Sequence, residues 1–192
     1  MKPGEFVQSL ADQLGVPASE VRTVDRALAD NAFRGRAQGR WGPDITQLEA
    51  LYLLLAVRGA NVARRAHLDA GRWGEMRMFA VPSRKGGADI PAENITEAFG
   101  PAFVPQGKKL IWVLSMVCDR WRRGEIEPEF PIGLDLDLTN DVATIVCGLR
   151  APQAELIFAG RSTAARNIHR IVSHTDGSIF RWIAEVTGPV EV

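Results

Sequence analysis

Few side chains in this 192-residue chain stand at spacings suited to covalent or metal chemistry. Asp135 and Asp137 lie two apart in an alternating segment and project from one face, an arrangement that can hold Mg²⁺ for hydrolysis. No third acidic ligand and no basic residue stands at workable spacing, so a solvated strand face is the simpler reading. His169 and His174 sit near Asp176 without the i,i+4 spacing of a helical metal pair, and no cysteine is near them. Cys118 and Cys147 lie in apolar stretches and read as buried free thiols of a reducing cytoplasm. No phosphate-cradling glycine loop and no nucleophile elbow occurs. The expectation is no catalytic residue, no metal and no cofactor.

Arginines offer a second chemistry. Arg22, Thr23 and Arg26 recur on one side of a helical pattern that starts near Ser19 and carries Asp30 at its end. Guanidinium and hydroxyl groups so placed reach phosphates and base edges. Arg34, Arg36 and Arg40 follow in a glycine-rich stretch, 32–44, with no acidic residue before Asp44. On such a backbone a guanidinium reaches a phosphate or a narrow groove. The formal net charge is +0, so any polyanion contact rests on local charge and not on bulk attraction.

The elements that would position these groups are written between Leu10 and Asp30. A helix over 3–14 has Pro3 in its first turn and Phe6, Val7, Leu10 and Leu14 on one side, and Gly15 closes it. Ala11 is small where two helices would cross. Ser19 is expected to N-cap a second helix, 19–31, in which Val21, Val24 and Leu28 face away from Arg22, Thr23, Arg26 and Asp30. Ala11, Gly15 and Val21, with Leu10, Leu14, Val16 and Val24, resemble the core pattern of the bacterial and phage helix-turn-helix family over about twenty residues. Pro17 departs from the commonest pattern but falls in the turn, where proline is tolerated. The resemblance implies that the second helix enters the major groove of double-stranded DNA. The stretch after it resembles the wing of winged helix-turn-helix domains, including the MerR-like branch, which implies backbone or minor-groove contacts for Arg34, Arg36 and Arg40. Without DNA, the same residues make a plain helical hairpin and a solvated connector with Trp41 folded onto the core.

Thr46-Gln47-Leu48-Glu49 is a capping box that opens a helix running to Arg58, with Gly59 ending it. Leu48, Leu51, Tyr52, Leu54, Leu55 and Val57 make this helix apolar nearly all round, which places it at the centre of a domain or at a dimer interface. A short helix over 61–70, closed by Gly71, follows with a second basic cluster of Arg58, Arg64, Arg65 and His67. The glycine-arginine stretch, the Trp-Gly-Pro-Asp-Ile-Thr transition and the aliphatic helix also loosely resemble the opening domain of prophage-type proteins. That resemblance implies a phage or mobile-element origin.

A strand over 73–81, a loop over 82–91, a short helix over 91–99 and a long helix over 108–123 come next. Arg120, Arg122 and Arg123 suit the dipole at the end of the long helix. Glu125, Glu127, Glu129, Asp135, Asp137 and Asp141 make 125–141 acidic, with no Lys or Arg. Ile132, Leu134, Leu136 and Leu138 alternate with polar positions. They read as a half-buried strand that Thr139-Asn140-Asp141 turns into a return strand over 142–149. Strands over 154–159 and 166–173 and a helix over 178–186 follow.

The expected fold is α+β. An N-terminal winged helix-turn-helix DNA-binding domain spans 1–72. A small antiparallel sheet with a long helix spans 73–192 and serves oligomerisation, a protein partner or a ligand. The expected function is a sequence-specific DNA-binding protein, a transcriptional regulator that acts as a homodimer. Ser19, Arg22, Thr23, Arg26, Arg34, Arg36 and Arg40 would meet the duplex. The longest apolar run, 50–57, is too short to span a bilayer, and the expected setting is the cytoplasm, away from membranes. The alternatives are a phage packaging subunit, a protein-interaction module using the acidic hairpin, and a metal-dependent nuclease using Asp135 and Asp137.

Overall fold

The computed structural model describes residues 1–35, 43–60, 62–80, 99–100, 103, 107–148, 154–159 and 171–188. Helices α1 (Pro3–Leu14), α2 (Ala18–Asp30) and α3 (Gln47–Gly59) come first, then a 3₁₀ turn (Ala63–Arg65) that leads into α4 (Ala66–Glu75). β1 (Arg77–Ala80) precedes the long helix α5 (Leu110–Arg122). β2 (Ile132–Asp137), β3 (Val142–Cys147), β4 (Ala154–Ala159), β5 (Val172–Asp176) and α6 (Gly177–Val186) complete the order. The strands make one antiparallel sheet in the order β1-β4-β3-β2-β5. The fold class is α+β, as the polarity pattern predicts.

α3 is the central strut. Leu51, Leu53, Leu54 and Leu55 are each 0% exposed, and α2, α4, α5, α6 and β5 all pack around this one helix. Most of its apolar surface is therefore consumed inside a single core, with Leu48 left exposed. That core runs from Phe6 and Leu10 through α3 to Leu134, Ile145 and Phe158 of the sheet. The expected boundary at 72/73 falls inside α4.

The approach of α4 to α3 depends on missing side chains. A Cβ at Gly59 would lie 2.2 Å from Nε1 of Trp73, and one at Gly74 would lie 2.7 Å from Cε1 of Tyr52. Trp73 uses that closeness to donate from Nε1 to the Gly59 carbonyl at 3.1 Å. Gly71, expected to end the helix, instead sits mid-helix beneath the Phe33 ring, and α4 continues to Glu75. The expected strand over 73–81 accordingly begins only at Arg77. Packing has overridden the local stop signal.

A buried polar cluster ties α3 to α5 and α6. The Gln47 side chain, 0% exposed, donates from Nε2 to Ser115 Oγ at 2.9 Å, to the Ser115 carbonyl at 3.0 Å and to Asp119 Oδ1 at 3.2 Å. Arg122 donates to Asp119 Oδ1 at 2.6 Å, to Gln47 Oε1, and to the Ala184 carbonyl at 3.1 Å at the end of α6. The Phe6 ring of α1 stacks on Trp182 of α6 at 4.9 Å, so the first and last helices also meet.

Denaturant titration of three variants tests this packing. Gly59→Ala should cost about 1–3 kcal/mol through overpacking against Trp73. Gly4→Ala, where a Cβ meets nothing within 4 Å, should stabilise α1 by roughly 0.5 kcal/mol. Gln47→Leu should cost about 1–3 kcal/mol, because Ser115, Asp119 and Arg122 each lose a buried partner. A neutral Gln47→Leu would show that the cluster is not what joins the helices.

Candidate nucleic-acid interface

Gly15, Val16 and Pro17 are all that separates α1 from α2. Gly15 adopts φ 64, a left-handed conformation that suits glycine. Its N–H donates to the Asp12 carbonyl at 3.3 Å, and that of Val16 to the Ala11 carbonyl at 3.1 Å, which closes the helix end. Pro17, not Ser19, holds the N-cap position of α2, with φ −61. The ring fixes that angle, and the Pro17 carbonyl accepts from the Glu20 N–H at 3.0 Å. Ser19 thus lies inside the first turn, exposed, and its carbonyl accepts the Thr23 hydroxyl at 2.9 Å.

α2 buries Val21, Val24 and Leu28 and leaves Ser19, Arg22, Thr23 and Arg26 exposed on the opposite arc. Arg22 donates from Nη2 to Gln8 Oε1 on α1 at 3.1 Å, which steadies its guanidinium across the hairpin. Arg26 has no ion-pair partner among the described residues. Glu20 and Asp30 are also exposed on this helix, so its exposed charges are of both signs, with Arg22 and Arg26 between them.

The second basic cluster reaches this helix. The 3₁₀ turn packs against α2 and brings Arg64 and Arg65, both exposed and both without an ion-pair partner among the described residues. Val62 and Leu68 flank them at 53% and 60% exposed. Arg58, in the last turn of α3, is half-buried, its Nε has no hydrogen-bond partner among the described residues, and burial lowers its pKa from the ordinary value. His67 is half-buried, with no hydrogen-bond partner for Nδ1 among the described residues.

Arg34 points the other way. Its Nε approaches Asp25 Oδ1 at 2.6 Å and its Nη2 donates to Oδ2 at 2.8 Å, with side chains only 9% and 13% exposed. Burial raises the Asp25 pKa and the facing guanidinium opposes the rise. The Gly35 N–H donates to Glu49 Oε1 at 2.7 Å, so the chain after α2 is pinned to the start of α3. The expected wing contact for Arg34 does not match this placement: its charge is spent on Asp25. Arg36, Arg40 and Trp41 lie outside the described residues.

Asp135 and Asp137 have separate tasks. Asp137, 3% exposed, is not the solvated carboxylate expected. Its Oδ1 accepts the N–H groups of Thr139 and Asn140, both at 3.0 Å, and its Oδ2 accepts Asn140 Nδ2 at 2.8 Å, so it shapes the hairpin turn. Asp135 meets His174 Nδ1 at 2.6 Å across the β2–β5 pair. Among the described residues no group of three or more His, Cys, Asp or Glu gathers as metal ligands, and His169 lies outside them. Both cysteines are buried, and burial pushes the Cys118 thiol far up and that of Cys147 to about 12.

The arginines ending α5 make specific contacts beyond the dipole role expected of them. Arg122 reaches α6, whereas Arg123 and Arg120 both donate to Glu125. Arg123 first, and Arg120 second, hold the Glu125 carboxyl down at about 2. A carboxylate with a lowered pKa stabilises the fold above its ordinary 4.5 and loses that contribution as pH falls toward 2. Glu125→Gln should therefore flatten the acid limb of thermal stability in that window. An acid limb unchanged by the substitution would refute the pairing.

The chain matches no protein-family model, no curated protein and no solved structure.

Proposed function

We propose that this protein binds double-stranded DNA sequence-specifically as a transcriptional regulator, reading the major groove with α2. The observation that carries the reading is the packing of a second basic segment against the helix that carries the first. Arg22, Thr23 and Arg26 stand exposed on α2, and Arg64 and Arg65 stand exposed on the 3₁₀ turn packed beside it. Side chains on a helix face reach base edges, while cations flanking that helix hold phosphates and set its register. The three-residue turn between α1 and α2, with its left-handed glycine, is the geometry by which one short helix presents another. The wing reading rests on Arg36 and Arg40 alone, because Arg34 faces Asp25.

The two groups of cations predict different losses, measurable by fluorescence anisotropy on labelled duplexes over a salt series. Arg64→Gln and Arg65→Gln should weaken binding to every sequence and lower the log–log salt slope by about 0.9 for each phosphate left without its cation. Arg26→Gln should cost roughly 1–3 kcal/mol on a selected site and much less on random duplex. Binding that none of these substitutions alters would remove the proposed surface, and wild-type protein that retains no duplex at low salt would remove the function.

A further inference from the structure

The two edges of the sheet are treated differently. At β1 the chain covers its own edge: the Met78 N–H donates to the Lys108 carbonyl at 2.9 Å, and the Gly107 N–H to the Met78 carbonyl at 3.4 Å. β1 is also short and carries a register irregularity between Met78 and Ala80. Short, bulged and covered edges are the usual protection against unwanted strand addition.

β5, the opposite edge, pairs with β2 without a register shift, and among the described residues no segment bonds along its outer side. The Leu138 N–H donates to the Ile171 carbonyl at 2.9 Å, and the Ile171 N–H donates to Thr139 Oγ1 at 3.0 Å. In an antiparallel pair, residues turned toward the partner alternate with residues turned away. Ser173 and Thr175 therefore direct their backbone groups at β2, and Val172 and His174 direct theirs outward. Among the described residues nothing bonds to those outward groups. Ile171 and Val172 are 64% and 41% exposed, and β5 contains neither Lys nor Pro.

From this open edge we infer that β5 pairs with β5 of a second copy, antiparallel about a two-fold axis at Ser173, joining two sheets into one. That register sets Val172 opposite His174 of the second copy, and His174 opposite its Val172. The outward N–H and carbonyl groups of Val172 and His174 then complete one another across the axis. Ile171 falls opposite Thr175 and Ser173 opposite Ser173, which places no like charges face to face. A two-fold contact of this kind uses one patch twice and closes on itself. One strand pair buries less than an interface of standard size, so the dimer is concentration-dependent. The inference stands apart from the DNA reading, because the edge lies on the sheet and the basic groups lie on α2 and the 3₁₀ turn.

Sedimentation equilibrium over a concentration series tests it, with circular dichroism confirming that each variant folds. The wild-type mass should rise from the 21.0 kDa of one chain toward twice that value. An Ile171→Lys, Val172→Lys protein should stay at one chain mass throughout. Ser173→Cys supplies a readout that depends on register. Directly opposed residues of a non-hydrogen-bonded pair stand about 4.5 Å apart at Cα, within reach of a disulfide. This variant should therefore cross-link on oxidation, whereas Gln13→Cys on the exposed side of α1 should not. The native Cys118 and Cys147 are buried and do not compete. A wild-type chain that remains monomeric at high micromolar concentration would overturn the inference, as would a dimer that the double lysine variant leaves intact. Failure of duplex binding with the dimer retained would count against the DNA reading alone.

Discussion

The amide of Gln47 is the joint on which the arrangement depends. It sits at the first position of α3, fully buried, and bonds to Ser115, Asp119 and Arg122 of α5. Arg122 carries the connection on to the carbonyls of Ala184 and Thr187 around the end of α6. A polar side chain in that position is costly to bury unless every donor and acceptor is met. Met as it is, the cluster fixes the rotation and axial position of three helices at once, which apolar contacts alone leave loosely specified. α2 is in turn held against α3 and α4, so the orientation of its exposed arc traces back to this joint.

Much of the fold is legible in the sequence because it is written locally. The α1–α2 hairpin follows from Gly15 and from the spacing of Phe6, Leu10, Val21, Val24 and Leu28. The β2–β3 hairpin follows from strict alternation and a three-residue polar turn. α3 begins where its capping box says, with Thr46 Oγ1 accepting from the Glu49 N–H at 3.3 Å. The signals that mislead are those with two local meanings. Gly71 reads as a helix stop, yet its missing side chain is what admits Phe33. Ser19 reads as a cap, yet the proline before Ala18 already fixes the helix entry.

The candidate interface is legible by residue type and not by partnership. Arg22, Thr23 and Arg26 are exposed where their helical spacing puts them. Arg34 has the same charge and the same glycine-rich surroundings as a groove-reaching arginine. Asp25 claims it because it lies on the flank of α2 that meets the returning chain. No spacing rule joins residues 25 and 34 in this way, since the chain leaves the helix between them. Nor does any rule join Arg64 and Arg65 to α2, from which they are separated by the whole of α3. Gln47 reads only as filler in a capping box, because its partners lie on α5, far along the chain.

A formal charge of +0 looks unfavourable for a protein proposed to meet a polyanion, until the carboxylates are followed to their partners. Asp25 faces Arg34, Asp119 faces Arg122, Glu125 takes Arg120 and Arg123, Asp141 takes Arg72, and Asp137 is folded into its turn. These acids are neutralised or enclosed within the fold. Among the described residues, Arg26, Arg64 and Arg65 are not matched in this way. Field at a surface depends on the charges left uncompensated near it, within about a Debye length of roughly 8–10 Å, and not on the sum over the chain. Internal pairing removes acids and arginines together and leaves the chain neutral, and what is local is the placement of Arg22, Arg26, Arg64 and Arg65 on one face of α2 and on the 3₁₀ turn beside it. The exposed Glu20 and Asp30 set the limits of that face. On the proposed reading, Glu20 would repel a phosphate laid along the start of α2, and so favour an approach centred on the arc between Arg22 and Arg26, with the 3₁₀ turn at its side. On the same proposed reading, a groove contact of that restricted kind would have little non-specific affinity to draw on, which would place the weight of binding on base contacts.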